Sequence, residues 1–177
     1  MMRTRSLAAC LAGVLAAPVW PANAAPLQAC DVKLNVTDQD PAGLNVRSAP
    51  GGAVIATLKA RARWVQVHVT SDADGWAAID GATLIEDETG GGESQLFKGH
   101  GFVAFSKLGF EELDTQSRIL AAPADGARVL LSISQGDEAK LPKATVLGCS
   151  GSFLKVRVSG IVGWTQTFCA NQLTTCV

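Results

Sequence analysis

The chain has 177 residues, with 15 basic against 16 acidic side chains, and is 47% hydrophobic but only 6% aromatic. A balance this near neutral argues against nucleic acid as a partner, which ordinarily meets a basic surface. The length accommodates one domain or two small ones.

The N-terminus reads as a secretory signal peptide. Arg3 and Arg5 supply a positive start, Leu7–Val19 is apolar and uncharged, and Pro21-Ala22-Asn23-Ala24-Ala25 carries a small-residue exit. A membrane span needs about 20 apolar residues; the 13 residues Leu7–Val19 are too few, and Pro18 and Pro21 break the far end. Cys10 and Cys30 each follow a loose lipid-attachment pattern. Cys10 precedes most of the apolar run and Cys30 lies well beyond it, so soluble export is the better reading. Cleavage is expected after Ala24, giving a periplasmic or secreted protein with no transmembrane segment in the mature chain. Loss of Arg3 and Arg5 leaves 13 basic and 16 acidic residues, a net charge of −3.

The mature chain then keeps Cys30, Cys149, Cys169 and Cys176. An even number in an oxidising compartment predicts two disulfides, with three possible pairings. No C-x-x-C pair supports zinc. Phe153–Val158 and Ile161–Gln166 read as strands around a Ser159-Gly160 turn, which sets position 149 opposite 170. One bulge corrects the offset to Cys169. The expected pairs are therefore Cys149–Cys169 and Cys30–Cys176.

Strand signals fill the mature sequence. Trp64–Val69 and Phe153–Val158 alternate with period 2, so Val65, Val67 and Val69, and Leu154, Val156 and Val158, are expected to face a core. Glycine and proline punctuate the rest, as in a small barrel or sandwich. Phe110–Thr115 allows at most a short turn of helix. Lys59, Arg61 and Arg63 share one face of a strand, as in a charged edge that blocks pairing. Thr89-Gly90-Gly91-Gly92-Glu93-Ser94 has linker composition, and the halves on either side resemble each other. Trp76 matches Phe153 best, because Pro50 to Trp76 is 26 residues and Pro123 to Phe153 is 30. That register makes Asp80-Gly81 and Ser159-Gly160 equivalent hairpin turns.

Leu44-Asn45-Val46-Arg47-Ser48-Ala49-Pro50, the alternating strand after it and Asp74-Gly75-Trp76 resemble the bacterial SH3-like domain. The second half resembles it at its end, in Phe153–Val158 and Val162-Gly163-Trp164-Thr165. The resemblance implies an all-β chain of two SH3-like barrels. Residues 1–24 would be the signal peptide, 30–88 the first barrel, 89–94 the linker and 119–177 the second barrel. Residues 95–118 would be a connecting segment or a first strand of the second barrel. It also implies peptidoglycan or its stem peptides as ligand.

Catalytic machinery is not evident. His68 and His100 are the only histidines, and neither accompanies a recognisable nucleophile. Asp38-Gln39-Asp40 and Asp72-Ala73-Asp74-Gly75 offer only fragments of a calcium loop. No cofactor or metal is expected, and the chain reads as a non-enzyme. Binding then falls to aromatic platforms with polar neighbours: Trp64, Trp76, Phe153 and Trp164, with Lys155 and Arg157 beside them. The alternative is an exported protein–protein partner of inhibitor or immunity type.

Overall fold

A computed structural model describes residues 27–59, 64–85, 93–113, 116–134 and 143–169. Residues 1–24, expected as a signal peptide, Arg61 and Arg63, residues 86–92 and Cys176 lie outside them. The described chain is all-β apart from one 3-10 turn, Phe105–Lys107. Among the described residues no helix is long and apolar enough to cross a membrane.

The first sheet contains β1 (Gln28–Val36), β2 (Leu44–Arg47), β3 (Val54–Leu58), β4 (Trp64–Asp72), β5 (Trp76–Ile85), β6 (Glu93–Ala104) and β7 (Leu108–Gly109), in the order β3-β2-β6-β5-β4-β1-β7. The second contains β9 (Arg118–Leu120), β10 (Val129–Ser132), β11 (Thr145–Ser150), β12 (Phe153–Val158) and β13 (Ile161–Thr165), in the order β10-β9-β13-β12-β11. A short pair joins β8 (Glu112–Leu113) to β14 (Phe168–Cys169).

Period-2 patterning works as expected. Val65, Val67 and Val69 of β4 and Leu154, Val156 and Val158 of β12 are all buried. They belong to one continuous apolar cluster that also takes in Leu34, Ile79, Phe105 and Ile119. The β4–β5 and β12–β13 hairpins close through Asp74-Gly75 and Ser159-Gly160, all four with positive φ. A right-handed strand twist favours such turns, and glycine enters them without steric penalty.

Four expectations give way to longer-range structure. Asp80-Gly81 is not a turn: β5 runs through it, with Ile79 opposite Val69 and Gly81 opposite His68, so Asp80 is the extra residue of a bulge. The two hairpins therefore correspond through their alternating strands, Trp64–Asp72 and Phe153–Val158. The glycine-rich stretch lies between adjacent strands of one sheet. Glu93 and Ser94 already belong to β6, which pairs with β5 along its length and touches β2 through Arg47 and Phe102. Residues 95–104 thus extend the first sheet. The 3-10 turn sits at Phe105–Lys107, whereas Glu112–Leu113 is strand.

The disulfide expectation is also corrected. Cys149 is bonded to Cys30, not to Cys169, so Cys30 is not available to Cys176. The cause is a second hairpin. The chain turns at Gly151-Ser152, placing Ser150 opposite Phe153 and Cys149 opposite Leu154. That sets β11 on the side of β12 away from β13. There it meets β1: Asp31 N–H donates to Gly151 O at 2.9 Å and Gly151 N–H to Ala29 O at 2.8 Å. Cys169 is itself disulfide-bonded, its partner lying outside the described residues.

Candidate functional site

The aromatic residues singled out from sequence divide between the two sheets. Trp64 and Trp76 are half-buried on the outer face of the first sheet, near opposite ends of the β4–β5 ladder. Trp64 lies opposite Ile85 and Asp72 opposite Ala77; eight residues of strand separate those pairs by about 26 Å. Phe153 is buried, 9% exposed, at the start of β12. Trp164 is half-buried opposite Lys155, whose Nζ lies 5.8 Å from the ring centroid. That is cation–π distance, so the lysine already covers the indole face. Arg157 is exposed two pairs further along, opposite Val162. Lys155, Arg157 and Trp164 therefore share a face, but no single groove gathers all six residues.

The Lys155 face also meets the first sheet. Asp72 at the end of β4 accepts a hydrogen bond from the Cys149 N–H, 3.2 Å from Oδ2. A Cβ at Gly148 would overlap that same oxygen, so glycine is what lets the carboxyl approach. Burial pushes the Asp72 carboxyl above its ordinary value of 3.8, and the N–H groups of Cys149 and Gly75 oppose the shift. Its buried Oδ1 has no partner among the described residues.

A second site, which sequence inspection did not identify, opens on the outer face of the first sheet. A polar cleft of about 360 Å³ is lined by Lys33, Gln66, His68, Asp80, Thr83 and Gln95, with Glu93, Lys98 and Gly81 also at its surface. Register explains it. Lys33 lies opposite His68, His68 opposite Gly81, and Gly81 opposite Lys98, making one row across β1, β4, β5 and β6. Two residues along, Gln66, Thr83 and Gln95 form a neighbouring row. Gly81 alone in the first row has no side chain, and that gap is the cleft floor. The first row joins β1 to β4, β5 and β6 and the second crosses β4, β5 and β6, so only their alternating polar positions were visible in the sequence.

His68 is fixed at the centre. Its Nδ1 lies 2.8 Å from Asp80 Oδ1 and its Nε2 2.9 Å from Asp31 Oδ1. The bulge at Asp80 aims that carboxylate at the ring. Only the imidazolium donates at both nitrogens, and its pKa rises above the ordinary 6.5. The Asp31 hydrogen bond is the main cause, Asp80 adds to it, and partial burial opposes both. Among the described residues no group of three or more His, Cys, Asp or Glu side chains has metal-binding geometry.

No family model and no curated protein matches the chain. Among solved structures, NlpC1 from Trichomonas vaginalis is similar at 10% identity and a TM-score of 0.33, over 78% of this chain and 45% of that one. The chain thus spans about half the length of that protein. So distant a likeness leaves the function to this chain's own side chains.

Proposed function

We propose that this chain is a non-catalytic exported binding module that engages peptidoglycan or peptide ligands in the cell envelope through two SH3-like β units in tandem. The polar cleft around His68 carries this reading. Its lining offers amide, hydroxyl, ammonium and carboxylate groups in one open depression, which suits a hydrophilic ligand more than an apolar one. A general base needs a ring nitrogen within reach of the proton it removes. Both nitrogens of His68 are held by carboxylates instead, which supports binding over catalysis. Sedimentation of the purified protein with cell-wall sacculi is the test. Retention in the pellet without release of soluble fragments is expected; protein left wholly in the supernatant overturns the reading.

A second reading, a secreted protein–protein partner of inhibitor or immunity type, is favoured by β3. That strand is an edge of the first sheet, and it exposes Val54 and Ile55 at 47% and 49%. Open edges with apolar side chains pair readily with another chain. Co-purification of one stoichiometric protein, lost in Ile55→Lys, with no affinity for sacculi, would favour this reading.

A further inference from the structure

The cleft combines four features that together select a ligand. First, Lys33 and Lys98 stand at the two ends of one row, with Cα atoms about 14 Å apart across three inter-strand steps. Neither has an ion-pair partner among the described residues. Second, the one other cation between them, His68, is already held by Asp31 and Asp80, while Glu93 adds a further carboxylate to the lining. The two ammonium groups are therefore the ones left to meet an incoming anion. Third, the floor between them is Gly81. A Cβ there would meet Phe97 O at 3.7 Å and Gln95 Nε2 at 4.0 Å, ordinary contact distances, and the backbone is not strained. Fourth, the row of Gln66, Thr83 and Gln95 lies two residues along the strands, about 6.6 Å away. Extended peptide advances about 3.3–3.6 Å per residue, so the rows are one dipeptide apart.

We propose that this cleft binds the carboxylate end of a short extended peptide, the carboxylate between Lys33 and Lys98 over Gly81 and the preceding amides against Thr83 and Gln95. This rests on the envelope-binding reading and names the part of the ligand that is recognised. Carboxylate and ammonium make charge-assisted bonds, about twice the strength of neutral ones. The Gln95 side chain offers both a donor and an acceptor to peptide groups. The lining holds no aromatic face for a sugar ring to lie on, which favours a peptide over an acidic saccharide.

Calorimetric titration with acetyl-Ala-Ala, with its C-terminal amide and with glucuronate tests the assignment. The free carboxylate binds, and the amide is weaker by about tenfold or more, as expected for lost bonds between charged groups. Lys98→Met lowers affinity for acetyl-Ala-Ala by a similar factor, and Gly81→Val, which fills the floor, removes binding. Equal binding of acid and amide, no binding of either, binding of glucuronate alone, or full affinity in Gly81→Val overturns the proposal. Parallel sedimentation with sacculi separates the two claims. Gly81→Val that pellets like the wild type, with no peptide binding in either, sinks the cleft and leaves envelope binding standing. Wild type that binds acetyl-Ala-Ala but not sacculi does the reverse.

Discussion

His68 bridges two carboxylates from different strands, and this couples its proton to the position of β1. Asp31 is the larger cause of the raised pKa, so Asp31→Asn brings the imidazole back toward 6.5, read by NMR titration of the ring protons. Stability takes its sign from that shift. With the folded pKa above 6.5, the contribution is complete below that pH and is lost as pH rises through the folded value. The wild-type advantage over Asp31→Asn is thus largest in mild acid. It stays below about 1 kcal/mol, because the ring and both carboxylates are partly exposed and screened. A titration unchanged by Asp31→Asn would show that the bridge does not form. Asp72 and Gly148 form a second coupled pair. Gly148→Ala forces a methyl against the Asp72 carboxyl, an overpacking that costs about 1–3 kcal/mol. In an Asp72→Ala background that cost shrinks, and a double-mutant cycle by urea denaturation reads the difference. Additive losses would mean that the carboxyl does not lie over Gly148.

Two Asp-Gly signals of similar appearance behave differently at the level of elements, and glycine substitution separates them. Gly75 closes the β4–β5 hairpin at φ +87°, so Gly75→Ala costs about 1–2 kcal/mol. Gly81 sits within β5 at an ordinary φ, where a Cβ would meet its neighbours at ordinary contact distance. Gly81→Ala is therefore neutral, or stabilising by up to about 1 kcal/mol. Urea midpoints of the two variants check this, and a loss at Gly81 as large as that at Gly75 would restore the turn reading. The same contrast shows what was legible in the sequence. Burial of Val65, Val67 and Val69, and the Ser159-Gly160 turn, follow from local alternation and backbone freedom. Strand neighbours do not: nothing in Glu93–Ala104 announces that it pairs with β5 and β2. Nor does Asp80-Gly81 reveal that partner strands continue past it on both sides. The His68 cleft escaped for that reason, since its rows exist only once β1, β4, β5 and β6 lie side by side.

The molecule as a whole depends on the junction of β1 with β11. Cys30 and Cys149 are 119 residues apart in sequence, and their bond stands beside the backbone pair at Gly151 and the Asp72–Cys149 hydrogen bond. Closing so long a loop restricts the unfolded chain strongly. Its removal in Cys30→Ser/Cys149→Ser costs about 2–5 kcal/mol, measured as the shift in urea midpoint against the wild type. Because one apolar cluster runs through both sheets, that loss is expected as a single transition at lower urea, not as one sheet melting before the other. A non-reducing peptide map of the purified protein tests the pairing itself. It should contain Cys30 joined to Cys149 and no Cys149 joined to Cys169. Recovery of Cys149 joined to Cys169 would separate β1 from β11 and with it remove the tie beside Asp31. The His68 cleft depends on that tie for the anchor of one of its four strands, so in the double variant its peptide affinity and the stability of the fold should fall together.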